Sequence, residues 1–222
     1  MLRAMNKFLR WGSLLLMGLF LVSCSSAYYA TMEQFGIQKR HLLKKAVAAA
    51  RDEQQAAGEQ FKDALTRLKE LYAFDGGKLE ATYTSLKRDY DASVQASDRV
   101  KKRVREVEKI SKDLFSEWDK EIGQMSSGRL RDDSRRQWRE TRDRYDDLHR
   151  TLVRSEKTME PVLVRFRDHV LYLKHNLNAQ AMGSLKTEAA DIQQEISRLI
   201  TEMNRSVAEA NAFIKSLPEE PR

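Results

Sequence analysis

The feature that most constrains this chain is an apolar side chain at nearly every third or fourth position, sustained through almost its whole length. Such spacing places the apolar side chains on one stripe of an α-helix, because the helix repeats every 3.6 residues. The chain contains only 3 prolines and 9 glycines, and 33% of its residues are charged, which is typical of long helices and coiled coils. The pattern predicts an all-α fold: an elongated antiparallel helical bundle or coiled coil of three to four long helices.

Two short segments interrupt the stripes and predict turns between helices. Residues 74–77 place paired glycines after an aspartate, and residues 126–128 combine two serines with a glycine. Glycine adopts the conformations that end helices, and serine caps the start of the next one. The segments 27–73 and 79–125 are almost equal in length, so each would reach about 70 Å as a helix. Antiparallel pairing would align their ends.

The second half of the chain carries two further stripes. The first spans 130–177 and passes Pro161 without losing phase, so Pro161 predicts a kink or a restart of the helix rather than a reversal. The second spans 185–214. The stretch 176–184, which includes Gly183, fits either a turn or continuous helix. The topology stays open, since a domain-swapped dimer would show nearly the same stripes, and a homo-oligomer is a further possibility.

The N-terminus has the parts of a bacterial lipoprotein precursor. A basic stretch precedes an apolar run, residues 11–22, that is too short to cross a bilayer comfortably. Residues 21–24, Leu-Val-Ser-Cys, resemble a lipobox, whose cysteine accepts diacylglycerol. We therefore predict that residues 1–23 are a cleaved signal peptide, that residues 24–222 form a single helical domain, and that Cys24 is lipidated. The alternatives are an ordinary signal peptide or an uncleaved anchor in which Cys24 is incidental.

Lipidation of Cys24 would tie the mature chain to a membrane, because acyl chains bury many methylene groups at about 0.8 kcal/mol each. Ser25 follows the cysteine. In lipoproteins of Gram-negative bacteria an aspartate there commonly retains the protein in the inner membrane, so a serine favours the periplasmic face of the outer membrane. We therefore predict a cell-envelope protein, with Tyr28 and Tyr29 either at the membrane interface or packed in a helix.

The charge pattern argues against nucleic acid as a partner. The formal net charge of +7 falls to +4 when Arg3, Lys7 and Arg10 leave with the signal peptide. The remaining basic residues are interleaved with acids rather than pooled, and export removes intracellular nucleic acid. The stretch 129–154 holds nine arginines, but six acidic residues offset them, so it predicts a solvated helix. A weak contact with an anionic envelope component is the alternative.

The sequence predicts no catalytic residue, no metal site and no cofactor. A helical metal site would need two histidines on one face, but the nearest pair, His169 and His175, is about 120° out of alignment. Cys24 is the only cysteine, which excludes a thiolate cluster, and the sequence contains no nucleotide-binding or hydrolase motif. His41 and His149 likewise fit surface or seam positions of helices.

The segment 171–179 is the most unusual part of the mature chain. Asn176 and Asn178 are weak helix formers among stronger ones, and Lys174 and His175 adjoin them. Two interpretations fit. Either these four residues form a polar recognition patch, or the asparagines cap the C-terminus of a helix.

Several uncommon stretches occur along the mature chain. They are 32–36 (Met-Glu-Gln-Phe-Gly) with Lys39 and Arg40, 74–80 (Phe-Asp-Gly-Gly-Lys-Leu-Glu), 114–118 (Leu-Phe-Ser-Glu-Trp), 159–163 (Met-Glu-Pro-Val-Leu) and 171–179 (Leu-Tyr-Leu-Lys-His-Asn-Leu-Asn-Ala). In these stretches the chain resembles an uncharacterised bacterial family known as domain of unknown function 2959. The resemblance implies an exported, helical, coiled-coil-like protein without an assigned activity, and it carries over no catalytic residue.

Together these observations favour a non-enzymatic envelope protein. It would be a lipid-tethered helical scaffold, spacer or partner-binding module, held to the membrane through Cys24 and bound to an envelope protein or an anionic envelope component. The alternative is a carrier or sensor whose bundle opens to hold a lipid or another apolar ligand, loosened at Ser93, Ser97 and Ser111 in the seam. An enzyme is the least favoured class, since carboxylates on charged helices give no reason for shifted pKa values.

Replacement of the lipidated cysteine tests the membrane anchor. Cys24→Ala should prevent processing, so that no mature form is found in the membrane, because no other cysteine can accept the lipid. Pulse labelling follows processing, and membrane fractionation locates the protein. Normal processing and full membrane retention of Cys24→Ala would contradict lipidation, and Ser26→Ala provides a matched control.

Overall fold

A computed structural model of the chain describes residues 39–73, 79–176 and 179–217. Those residues form four helices, α1 (Lys39–Ala73), α2 (Leu79–Gln124), α3 (Gly128–His175) and α4 (Ala179–Ser216). They include no strand, so the predicted all-α class is confirmed. None of these four helices combines the length and the apolar character that crossing a bilayer requires.

The chain divides into two compact units, Met1–Leu42 and Leu43–Arg222. Only the first residues of α1 belong to the described part of the first unit. The second unit holds the rest of α1 and all of α2, α3 and α4, and the helix packing is a property of this unit. The predicted cleavage point between residues 23 and 24 lies outside the described residues.

Ion pairs between α1 and α2 show the direction in which these helices run. Arg67 of α1 pairs with Asp89 of α2 at 3.3 Å. Nearer the start of α1, Glu53 pairs with Arg99 at 3.0 Å. Residue numbers fall along α1 as they rise along α2, so the two helices are antiparallel, as predicted. Each such exposed pair stabilises the fold by about 1 kcal/mol or less, so the pairs mark the register more than they hold the helices together.

The other neighbouring helices also run antiparallel, because the residue numbers of their contacts change in opposite directions. Between α2 and α3, Trp118 contacts Ser134 and Lys101 contacts Glu160. Between α3 and α4, Tyr145 contacts Phe213 and Arg165 contacts Glu195. Between α1 and α4, Arg51 contacts Asn211 and Gly58 lies beside Met203. Helices α1 and α3 run parallel, since Gln54 bonds to Ser155 and Tyr72 to His169. The second unit is therefore a four-helix bundle in up-down-up-down order, with α1 and α3 on a diagonal.

The apolar stripes of the four helices meet in one continuous core. Its largest fully buried side chains are Phe61, Phe115, Phe166, Leu43, Leu68, Leu71, Leu86, Ile122, Leu148, Leu152, Met159 and Leu173. Burial of one such side chain stabilises the folded chain by about 1.5–3 kcal/mol before conformational entropy is counted. The core, rather than the surface ion pairs, accounts for most of the stability.

Both predicted turns coincide with helix ends. Ser127 is the N-cap of α3: its backbone is extended, and its hydroxyl accepts a hydrogen bond from the Leu130 amide at 3.5 Å. The predicted break at 126–128 is therefore confirmed. Helix α1 ends at Ala73 and α2 begins at Leu79, so the helix boundaries enclose the predicted turn at 74–77, which itself lies outside the described residues.

Pro161 and the end of α3 settle two questions of continuity. Helix α3 continues through Pro161, so the helix does not restart there. The side chain of Pro161 is exposed while the stripe on the opposite face stays buried, and that burial maintains the helix across the missing N–H.

Helix α3 then ends at His175 and α4 begins at Ala179, so the chain turns between them, and Gly183 lies inside α4.

A polar layer crosses the middle of the core, with one residue from each helix. Gln54 and Ser155 are fully buried, and the Ser155 hydroxyl donates to Gln54 Oε1 at 2.7 Å. The helix register places Ser97 of α2 and Ser206 of α4 at nearly the same level, and both are buried. Gln54 Nε2 and the hydroxyls of Ser97 and Ser206 have no hydrogen-bond partner among the residues that the structure describes. A buried polar group without a partner costs about 1–3 kcal/mol, so this layer weakens the core.

The polar layer predicts different effects for a single and a double substitution. Ser155→Ala should lower the free energy of unfolding by about 1–3 kcal/mol, because Gln54 Oε1 then loses its donor while Nε2 is already unpaired. Adding Gln54→Met, which keeps the side-chain shape without the amide, should restore most of the loss. Urea denaturation followed by circular dichroism measures both changes. A double variant no more stable than Ser155→Ala would contradict a cost from the unpaired amide.

Candidate functional site

The predicted lipidation site, Cys24, lies outside the residues that the structure describes. Ser25, Tyr28 and Tyr29 lie outside them as well. Lipidation, sorting to the outer membrane and the position of the tyrosines therefore stay predictions.

Three residues of the predicted recognition patch lie at the C-terminal end of α3, while Asn178 lies outside the described residues. Lys174 and His175 are exposed. Asn176 caps the helix: its backbone N–H and its side-chain amide donate to carbonyl oxygens of the last turn at 3.2 and 2.9 Å. Capping accounts for Asn176, and a recognition role for Lys174 and His175 stays a prediction.

An exposed apolar strip adjoins Lys174 and His175 on α3. Val164 is 37% exposed, Leu171 48% and Tyr172 38%. Val164 and Leu171 lie seven residues apart, which places them on one outward face of the helix. Three partly exposed side chains form a much smaller surface than a stable protein interface needs, so the strip alone does not define a site.

The histidines are separated in the structure. His169 is buried, whereas His175, on the same helix, is exposed. His149 Nε2 lies 2.7 Å from Glu108 Oε1, and His41 is half-buried at the start of α1. The described residues contain no group of three or more histidine, cysteine, aspartate or glutamate side chains that could hold a metal ion.

The three seam serines are packed into the core. The Ser93 hydroxyl donates to the Asp89 carbonyl at 2.8 Å, and the Ser111 hydroxyl donates to the Glu108 carbonyl at 2.9 Å. These bonds satisfy both hydroxyls within their own helix. Ser97 is also buried and belongs to the polar layer.

A groove of about 580 Å³ runs between α2 and α3 on the surface of the bundle, and we treat this α2–α3 groove as the candidate site. Its lining residues recur every three or four positions, so they occupy one face of each helix. They are Glu108, Ser111, Lys112, Phe115, Ser116 and Asp119 from α2, and Trp138, Arg142, Tyr145, Asp146 and His149 from α3.

Three aromatic rings form the floor of the groove. The centroid of Phe115 lies 5.9 Å from that of Trp138 and 5.5 Å from that of Tyr145. Trp138 Nε1 donates to the Phe115 carbonyl at 3.0 Å, which fixes the indole. Tyr145 stacks on His149 with centroids 5.7 Å apart. Edge and stacking contacts of this kind hold the rings in defined positions.

Arg142 lies across this aromatic floor. Its Cζ is 5.1 Å from the Phe115 centroid and 5.8 Å from the Tyr145 centroid, within the range of cation–π attraction. Its Nε donates to both carboxylate oxygens of Asp146, at 3.0 and 3.2 Å. The guanidinium is therefore held in place from two sides. Burial raises the pKa of Tyr145, so its hydroxyl stays neutral beside the arginine.

Charged side chains of both signs flank the floor, namely Glu108, Lys112, Asp119, Arg142 and Asp146. The three carboxylates all lie within ion-pair distance of a histidine or arginine. A surface with an apolar centre and a charged rim suits a partner's apolar or aromatic side chain with polar groups around it.

Sequence reasoning missed the groove because it treated residues 129–154 as a solvated helix. One signal was available: Trp138, Arg142, Tyr145 and His149 follow one another at intervals of four, three and four residues, and so share one helix face. Phe115, the other half of the floor, belongs to a different helix. The concave surface exists only when α2 and α3 lie side by side.

A second cluster joins α1 to α3 inside the core. The Tyr72 hydroxyl lies 2.7 Å from His169 Nδ1, and His169 Nε2 lies 3.8 Å from Glu188 Oε2. With the imidazole proton on Nε2, Tyr72 donates to Nδ1. Burial lowers the pKa of His169, an effect that the charge of Glu188 partly offsets, and burial raises the pKa of Tyr72. Both rings are therefore neutral near pH 7, and the hydrogen bond between them holds α1 and α3 together.

Comparison with known proteins assigns a family to this bundle. A family model described as a protein of unknown function (DUF2959) matches residues 28–217, a range that includes all four described helices. The match confirms the resemblance seen in the sequence. No curated protein and no solved structure matches the chain.

The burial of His169 predicts a pH dependence of stability. Because burial lowers the pKa of His169 in the folded chain, the unfolded chain takes up the proton first as the pH falls through about 6.5, the ordinary value. The free energy of unfolding should therefore decline below about pH 6.5. His169→Gln, which keeps an acceptor for Tyr72, should lessen that decline. Urea midpoints measured across this pH range test it.

His175→Gln is the control for this experiment, since it removes an exposed histidine from the end of the same helix. It should leave the pH dependence unchanged. Equal slopes of stability against pH in the parent chain and both variants would show that His169 is not held neutral by burial.

Proposed function

The chain belongs to the DUF2959 family of proteins of unknown function, and we propose that it works as a non-enzymatic lipoprotein of the cell envelope. Lipid on Cys24 tethers it to the periplasmic face of the outer membrane. The helical bundle then serves as a scaffold that binds another envelope component through the α2–α3 groove.

The tether rests on the N-terminal sequence. A basic and apolar leader ends at a lipobox-like motif, and the cysteine of that motif is the only one in the chain. Acyl chains on Cys24 would make the attachment effectively permanent. Ser25, which replaces the aspartate that commonly retains lipoproteins in the inner membrane, supports a location in the outer membrane.

Partner binding is supported above all by the aromatic floor of the groove. Tryptophan, tyrosine and arginine dominate the binding energy of protein interfaces, and Trp138, Tyr145 and Arg142 lie together here. The rings and the guanidinium are already held by contacts within the bundle, so little conformational entropy is lost when a partner binds. An apolar side chain from the partner would rest on the half-buried Trp138, whose ring packs against the buried Phe115.

A non-enzymatic role is supported by how the titratable groups are used. His169 and Tyr72 bond to each other in the core, and Tyr145 forms part of the groove floor. Each of these rings has a structural partner within the described helices.

A carrier of lipid or another apolar ligand is the alternative. Most core positions of the four described helices are occupied by apolar side chains, so opening the bundle would expose them to water. Opening would also break the Gln54–Ser155 and Tyr72–His169 bonds. The groove supports the scaffold more directly, whereas lipid that copurifies with the chain would favour the carrier.

Photocrosslinking in cells tests the groove as a partner site. A photoreactive amino acid at Ser116, which is exposed on the rim, should form an adduct of defined mass with an envelope component. Arg142→Ala should reduce this adduct several-fold, because Arg142 lies over the floor and orders the charged rim. Immunoblotting quantifies the adduct, and mass spectrometry identifies the partner.

Two controls distinguish an adduct that forms through specific binding at the groove from one that forms through random contact. Arg144→Ala removes an arginine of similar exposure whose side chain points about 200° away around α3, and it should leave the adduct unchanged. A photoreactive residue at exposed Ser197 of α4 reports random contacts. An adduct that is equally abundant from Ser116 and Ser197, or that survives Arg142→Ala, would overturn the proposed site.

A further inference from the structure

The turn between α2 and α3 carries an unusual combination of side chains. We call residues 125–131 the hairpin tip. Leu130 is 62% exposed, more than the other large hydrophobic side chains that are exposed in the described residues. Arg129 and Arg131, on either side of it, are also exposed.

Local structure holds Leu130 in this exposed position. It lies in the first turn of α3, three residues after the N-cap Ser127, whose hydroxyl accepts from its amide. The Arg131 amide donates to the Ser127 carbonyl at 3.0 Å. Leu130 therefore projects from a capped helix start and not from an irregular loop.

The charges at the tip are available to a ligand. Arg129 and Arg131 make no ion pair with other residues that the structure describes, whereas Arg135 pairs with Asp119 and Arg136 with Asp133 farther along α3. The exposed Asp132 follows Arg131 but forms no ion pair with either tip arginine. An exposed leucine between two arginines without an ion pair matches a phospholipid surface, which offers acyl chains below a layer of phosphates.

The register of the bundle shows how far the tip extends. Continuing the α1–α2 pairing to the start of the second unit brings Leu43 level with about residue 110 of α2. Helix α2 continues to Gln124, so the tip lies about 20 Å beyond that level.

The length of chain before Leu43 is compatible with a membrane at the tip. Eighteen residues lie between Cys24 and Leu43, so these 19 peptide steps can reach at most about 65 Å. That reach exceeds the projection of the tip beyond Leu43. Lipid on Cys24 can therefore be in a bilayer that the tip touches.

We propose that the hairpin tip docks on an anionic phospholipid surface, with Leu130 at the acyl boundary and Arg129 and Arg131 on lipid phosphates. This contact rests on the proposed lipid anchor and adds an orientation to it. Docking would hold α2 and α3 upright on the membrane, with the α2–α3 groove a short distance above the surface.

Vesicle binding by the chain from Ser25 to Arg222 tests the proposal. This chain keeps all four helices and lacks both the leader and the lipid. It should bind vesicles of phosphatidylcholine with one quarter phosphatidylglycerol, and bind pure phosphatidylcholine much more weakly. Leu130→Ser should reduce the partition coefficient several-fold, and Arg129→Gln with Arg131→Gln about tenfold or more. Circular dichroism confirms that each variant is folded.

The far end of α3 supplies matched controls. Leu171→Ser and Arg167→Gln change an exposed leucine and an exposed arginine on the same helix, far from the tip, and should bind like the parent chain. A second measurement uses the absence of cysteine from this chain. A polarity-sensitive fluorophore on Leu130→Cys should brighten with anionic vesicles, whereas the same label on Leu171→Cys should not.

The outcomes are separable from those of the anchor experiment, because the vesicle assay contains no lipidated protein. No binding up to millimolar anionic lipid, binding insensitive to the tip substitutions, or equal brightening at positions 130 and 171 would overturn the tip contact. Cys24→Ala addresses only the anchor, so failure of the anchor and failure of the tip contact can be told apart.

Discussion

Each helix of this bundle carries an apolar stripe that a single helix or a simple hairpin cannot remove from water. Stability comes from bringing four such stripes together, because buried side chains such as Phe61 and Phe166 contribute more than any exposed ion pair. The arrangement leaves the outward faces of the helices free of packing demands. The hairpin tip and the charged rim of the α2–α3 groove lie on these outward faces, so residues there could change without loss of the core, whereas Phe115 and Tyr145 on the groove floor belong to the core itself.

Two polar contacts within that core specify alignment at some expense of stability. Gln54 bonds to Ser155 and Tyr72 to His169, and both contacts join the parallel helices α1 and α3 across the bundle. A slip of α1 by one turn would keep apolar residues in the stripe but would leave these polar groups buried without partners. Burial of these polar groups therefore destabilises wrong registers more than the correct one. Selection of the register is the best-attested use of polar residues inside helical bundles.

How much the sequence could predict depended on whether a feature was local. The break at 126–128 was predictable because glycine and serine act on their own turn of the chain. The unbroken stripe around Pro161 was enough to exclude a reversal of the chain there, but it left a kink and a restart of the helix open. The sequence left Asn176 as either a helix cap or part of a recognition patch, and capping is indicated by two hydrogen bonds that only coordinates reveal, one from its backbone N–H and one from its side-chain amide. The aromatic floor and the Tyr72–His169 bond could not be predicted, since each joins residues on different helices whose relative rotation a periodic pattern does not specify.

The continuity of α3 has a consequence for how this chain can vary. One unbroken helix carries the hairpin tip, half of the α2–α3 groove and the exposed strip that contains Leu171. Insertion of a single residue between them would turn everything beyond it by about 100° and shift it by about 1.5 Å. Only changes of about seven residues, matched by α2 and α4, would keep these surfaces on their present sides. Helix α3 thus sets both the spacing and the relative direction of these surfaces. Length variation within the family should therefore be concentrated at the turns or occur in whole heptads.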